Sequence, residues 1–105
     1  MIIKIKQGDS YAVFGTHLSL WEANELMLIA IEHNKKNFTY PYFQEGMQQI
    51  FNNIIDEFKF LKEFDIAHTI HEDNIEATYE LFFHGEHGLM GELTSKFMTH
   101  PQRVY

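Results

Sequence analysis

Seven histidines and fifteen carboxylates are the only residues of this chain whose types and spacing invite catalytic or metal chemistry, since it contains no cysteine. His84 and His87 are three apart with Glu86 and Glu92 beside them. On a helix that spacing puts both imidazoles on one side, where they could chelate a divalent cation for a small metal-dependent hydrolase or nucleotide-processing enzyme. Gly85 between them and Gly88 after them favour a turn instead. A metal site also needs three or four ligands with supporting partners, and no further spacing supplies them. His68 and His71 share the spacing but fall in an alternating, strand-like run, where residues three apart point to opposite faces. The first is expected in the core beside Tyr79, the second at the surface beside Glu76.

His17-Leu18-Ser19 resembles one copy of the His-apolar-Ser/Thr pattern of the two-histidine phosphoesterases, which need two copies facing each other across a cleft. None of the other six histidines is followed in that way. Ser10, Ser19 and Ser95 lack the glycine elbow of a serine nucleophile, and Gly85, Gly88 and Gly91 match no phosphate-binding glycine pattern. The sequence therefore predicts no catalytic residue and no cofactor.

Charge is informative by its position. The formal net charge is −7, yet no Lys or Arg occurs between Lys62 and Lys96, a stretch holding Glu63, Asp65, Glu72, Asp73, Glu76, Glu80, Glu86 and Glu92. Nucleic-acid binding requires clustered cations to neutralise phosphates, and the eight basic residues are scattered. Direct binding to nucleic acid or to an anionic membrane is disfavoured, and an electropositive protein surface is favoured. The longest apolar run, Leu26 to Ile31, is far short of a membrane span, and the first nine residues show no secretory pattern. Together with the missing cysteines this predicts a cytoplasmic protein.

The elements that must position these groups are legible as two hairpins around two helices. With Gly8-Asp9 as a two-residue turn, Ile5 faces Ala12 and Ile3 faces Phe14, and Lys4 and Lys6 point toward solvent. Ser19-Leu20-Trp21-Glu22 is a capping box that opens a helix over about 19–36, with Leu20, Ala23, Met27, Ala30 and Ile31 on its buried stripe. A connector with four aromatic rings in the six residues from Phe38 to Phe43 leads to a second helix over about 42–64. Met47, Ile50, Phe51, Ile54, Ile55, Phe58 and Leu61 recur there at spacings of three and four. A second hairpin, about 66–83, turns at Asp73-Asn74, pairing Ile66 with Leu81, His68 with Tyr79 and Ile70 with Ala77. Met90, Leu93, Phe97 and Met98 suggest a short C-terminal helix over about 89–98, although Gly91 weakens it and leaves a further strand there as the alternative. One α+β domain over 1–105 follows, its antiparallel sheet built from two hairpins and backed on one face by two central helices.

Aromatic and thioether residues are abundant: ten Phe, five Tyr, one Trp and five Met. Tyr40, Tyr42, Phe43 and Phe60 exceed what the helical stripes need, and aromatics beside an acidic rim are typical of protein contact surfaces. The expectation is a small acidic, non-enzymatic interaction protein of the inhibitor, immunity or anti-defence type. It would engage a target protein through Glu72, Asp73, Glu76, Glu80 and Glu86 together with Tyr40, Tyr42 and Phe60. Eleven Ile against two Val points to an AT-rich genome, which suits a phage or mobile element. A further reading is a homodimer formed through the apolar first helix and the aromatic connector.

Overall fold

The computed structural model describes residues 1–33, 43–57, 64–67, 69–95 and 102–103. In chain order these form β1 (Ile2–Gln7), β2 (Ser10–Thr16), α1 (Leu20–His33), α2 (Phe43–Glu57), β3 (Phe64–Ile66), β4 (Ala77–His84), β5 (Gly88–Ser95) and β6 (Gln102–Arg103). The strands make one six-stranded sheet in the order β3-β2-β1-β4-β5-β6.

The first hairpin has the expected register, with Ile3 opposite Phe14 and Ile5 opposite Ala12. Gly8 takes φ +60° at the first central position of its turn, and Asp9 does not share the positive φ. That is the type II′ pattern, whose twist matches the flanking strands. The α1 capping box is also formed. Ser19 N–H donates to Glu22 Oε1 at 3.1 Å, and Glu22 N–H donates to Ser19 Oγ at 3.2 Å. Ala23, Leu26, Met27, Ala30 and Ile31 are buried on α1, and Phe43, Met47, Ile50, Phe51 and Ile54 on α2. Phe43, read as part of a surplus aromatic connector, is in fact core. Predicted residues 34–36 of the first helix, and 42 and 58–63 of the second, lie outside the described residues. Phe64, assigned to the second helix, instead opens β3.

The sheet is mixed and not antiparallel as expected, because β4 pairs with β1 in parallel, Ile3 beside Ala77 and Ile5 beside Tyr79. The second hairpin is also displaced. It joins β4 to β5 through Gly85–His87, with His84 opposite Gly88 and Tyr79 opposite Leu93. Gly85 at φ +43° and Gly88 at φ +74° supply the left-handed backbone that the turn requires. Asp73-Asn74 instead falls in a single 3₁₀ turn over Glu72–Asn74 within the passage from β3 to β4. Ile66 pairs with Phe14 at the far edge of the sheet, not with Leu81. The expected C-terminal helix is overturned over 89–95, where β5 runs, and its remainder, 96–98, is not described. Met90 and Leu93 have helical spacing, but the alternation of buried Leu89, Gly91, Leu93 and Ser95 is what the sheet uses.

Both helices cover one face. Phe14 of β2, Phe51 of α2 and Phe64 of β3 form an aromatic trio, Phe51 stacked on Phe64 at 4.6 Å and both meeting Phe14 edge-on at 5.3 and 5.5 Å. Aromatic pairs in these geometries add about 0.5–1.5 kcal/mol beyond burial. At the other side, α1 reaches β5 so closely that a Cβ on Gly91 would lie 3.2 Å from Ile31 Cδ1 and from Leu81 Cδ2.

The edge of β2 is closed by a side chain. Thr16 N–H donates to Met1 C=O at 2.9 Å, so the even-numbered residues of β2 face β1 and the odd ones face β3. Gly15 then exchanges bonds with Asp65, but β3 stops at Ile66 and offers nothing to Val13. Gln44, in the first turn of α2, takes that place. Its Oε1 accepts from Val13 N–H at 2.7 Å and its Nε2 donates to Val13 C=O at 2.8 Å. Each intramolecular hydrogen bond contributes about 0.5–1.5 kcal/mol. Gln44→Ala should lower the urea unfolding free energy by about 1–3 kcal/mol. Gln44→Glu, which cannot donate to the carbonyl, should cost at least as much at pH 7. An unchanged denaturation midpoint in both would show that the clamp carries no stability.

Candidate interaction surface

Because the helices lie on one side, alternate side chains of each strand point to the opposite sheet face, where register arranges them in rows; Val13 is buried there and Lys4 half-buried, whereas Tyr11 and Glu80 are exposed. One row runs Tyr11, Lys6, Glu80, Glu92 across β2, β1, β4 and β5, with Arg103 of β6 at the end of that register. The next runs Val13, Lys4, Thr78, Thr94. On the other side of the glutamates, Phe82 lies opposite Met90, and His84 opposite Gly88. Phe82, His84, Met90, Gly91 and Glu92 border a depression of about 260 Å³. The Phe82 and His84 rings are 6.1 Å apart. Tyr11 is 57% exposed on the β1–β2 half.

The face is electrostatically divided. β1 contributes Lys4 and Lys6, whereas β4 and β5 contribute no Lys or Arg. Lys4 does not point freely to solvent as expected. Its Nζ lies 2.8 Å from Glu72 Oε1 and 4.8 Å from the centre of the Tyr11 ring. Glu80 and Glu92 are direct cross-strand neighbours, an arrangement of like charges that a sheet does not favour by itself.

Of the residues singled out from sequence, Glu72, Asp73, Glu80 and Glu86 are exposed and Glu76 is half-buried. They are strung along the length of β4. Glu72, Asp73 and Glu76 precede it, where Glu76 N–H donates to Ile2 C=O at 2.9 Å; Glu80 is midway and Glu86 lies in the turn beyond it. His71 precedes the 3₁₀ turn, so the strand pairing expected between it and Glu76 is replaced by that turn. Tyr40, Tyr42, Phe60 and His68 lie outside the described residues. His84 is exposed and His87 belongs to the turn, so the two do not share a helix face. Among the described residues no three His, Asp or Glu side chains gather as a metal would require. Tyr11, Phe82 and Met90 were not singled out by sequence reasoning. The alternation of Thr78, Glu80 and Phe82 against Ala77, Tyr79 and Leu81 was the signal that could have found the second of them.

Tyr79 is wholly buried and its hydroxyl has no hydrogen-bond partner among the described residues. Burial raises its pKa far above the ordinary phenol value of about 10. Below about pH 10 it is neutral in folded and unfolded chains alike and contributes no pH dependence. Above that, only the unfolded chain ionises, so stability falls as pH rises. Tyr79→Phe should be neutral or stabilising by up to about 2 kcal/mol at pH 7, because it removes an unsatisfied buried group. It should also flatten the loss of stability between about pH 10 and 11. A destabilised Phe variant in chemical denaturation would mean that the hydroxyl is bonded in solution.

No family model, curated protein or solved structure matches this chain, and no helix of the described residues is long and apolar enough to cross a membrane.

Proposed function

We propose that this chain is a non-enzymatic interaction protein, of the inhibitor, immunity or anti-defence kind, that binds an electropositive surface of a target protein. The observation that carries the reading is the face of β4 and β5 that the described helices do not cover. There Phe82 and Met90 sit side by side, next to Glu80 and Glu92, on two strands without Lys or Arg, with Arg103 of β6 in register with Glu92. An apolar centre that excludes water beside a charged rim is the arrangement through which protein interfaces gain both affinity and steering. Glu86 at one end of β4, and Asp73 and Glu76 at the other, extend the negative rim along the strand.

Affinity for a captured partner should fall steeply as salt is raised from about 0.05 to 0.5 M, because exposed charges are screened over that range. Glu80→Lys combined with Glu86→Lys should weaken binding about tenfold or more, chiefly through a slower association rate. Phe82→Ala should act on dissociation. Surface plasmon resonance separates the two. Affinity indifferent to salt and to both variants would overturn the reading.

A further inference from the structure

The second feature lies at the opposite edge of the molecule. Between α2 and β3 runs a groove of about 840 Å³ lined by Gln48, Asn52, Ile55 and Asp56 of the helix and by Phe64, Asp65 and Ile66 of the strand. Its size is that of a binding site for a small molecule or a peptide side-chain cluster. Among the described residues, β3 ends the sheet on this side. Since Asp65 is the residue that exchanges bonds with Gly15, the main-chain groups of Phe64 and Ile66 point outward, away from β2. Ile66 is 42% exposed although its neighbours in the ladder are core. Each element carries an exposed aspartate, the one on β3 turned to the strand face away from α2. Asp56 is exposed on α2, and Asp65 is exposed on β3, where its only described ionic neighbour is His17 Nε2 at 3.7 Å from Oδ2.

We propose that this groove takes an extended basic segment of a partner protein, which adds to β3 as a further strand. Strand addition explains the combination of features better than a flat contact would. The outward N–H and C=O groups of Phe64 and Ile66 supply main-chain hydrogen bonds, and side chains give specificity. A residue directly opposite Asp65 shares its face, so a Lys or Arg there meets that carboxylate. Its neighbours in the added strand point the other way, under α2, where Asn52 and Asp56 receive a second cation and Ile55 receives its aliphatic stem. The occupant is therefore an extended segment with basic residues at adjacent positions. This site is separate from the β4–β5 surface, and the two readings fail independently.

The test is amide chemical-shift mapping on the full ¹⁵N-labelled chain. The probe is the blocked peptide acetyl-Thr-Val-Lys-Lys-Val-Lys-Thr-amide, and its counterpart with Glu for Lys is the control. Saturable shifts are expected at Phe64–Ile66 and along Gln48–Asp56 with the Lys peptide only. Asp56→Lys with Asp65→Lys should weaken binding about tenfold or more, and Asp56→Asn with Asp65→Asn should do so to a smaller extent if the reversal variant fails to fold. Glu80→Lys with Glu86→Lys should leave the titration unchanged. Shifts equal for both peptides, confined to β4 and β5, or absent at millimolar peptide would overturn the proposal and leave Asp65 as a charge that guards a short edge strand.

Discussion

The parallel pairing of β1 with β4 is the contact on which the rest of the architecture depends. Either hairpin can form from neighbouring residues, but two strands that run the same way cannot be joined by a turn. The chain must leave β2, travel through α1, α2 and β3, and return to the middle of the sheet before the seam closes. That route places both helices on one face and strands β3 at the far edge. The residues meeting at the seam, Ile3 beside Ala77 and Ile5 beside Tyr79, are almost wholly buried, so burial of apolar surface holds the joint. Its entropic cost is that of closing a loop of some seventy residues, and non-local pairing of that kind slows folding.

What could be read from the chain, and what could not, divides along the same line. The first hairpin, the Ser19 capping box and the apolar stripe of α2 rest on residues within a few positions of one another. All three are present with the expected partners. The inward set Ala77, Tyr79 and Leu81 and the outward pair Thr78 and Glu80 were also legible, since parity belongs to a strand whichever neighbour it has. The neighbour itself was not. Asp73-Asn74 has turn chemistry as good as that of Gly85 and Gly88, and nothing local ranks one above the other. The same ambiguity hid part of the candidate surface. Phe82 and Met90 become neighbours only through the β4–β5 register, and both lie on the side away from the helices.

Charge adds a second level of organisation. The acidic stretch noted along the sequence does not form one patch, because Asp65 lies on the edge strand β3 and the later members follow β4 and β5. Lys4 is the point at which the basic and acidic halves of the face away from the helices meet, bonded to Glu72 and lying over Tyr11. Glu72 is largely solvent-exposed, so this pair adds little stability and serves chiefly to fix where the 3₁₀ turn sits against β1.

Gln44 has a consequence beyond holding α2 to the sheet. By satisfying both main-chain groups of Val13 it acts as a ruler for the sheet's outer margin: the third strand cannot grow past Ile66 without evicting a side-chain amide already in place. The helix thus measures how much template the margin displays. A margin of three residues is too short to recruit copies of itself into a growing ladder, yet long enough to dock one short segment.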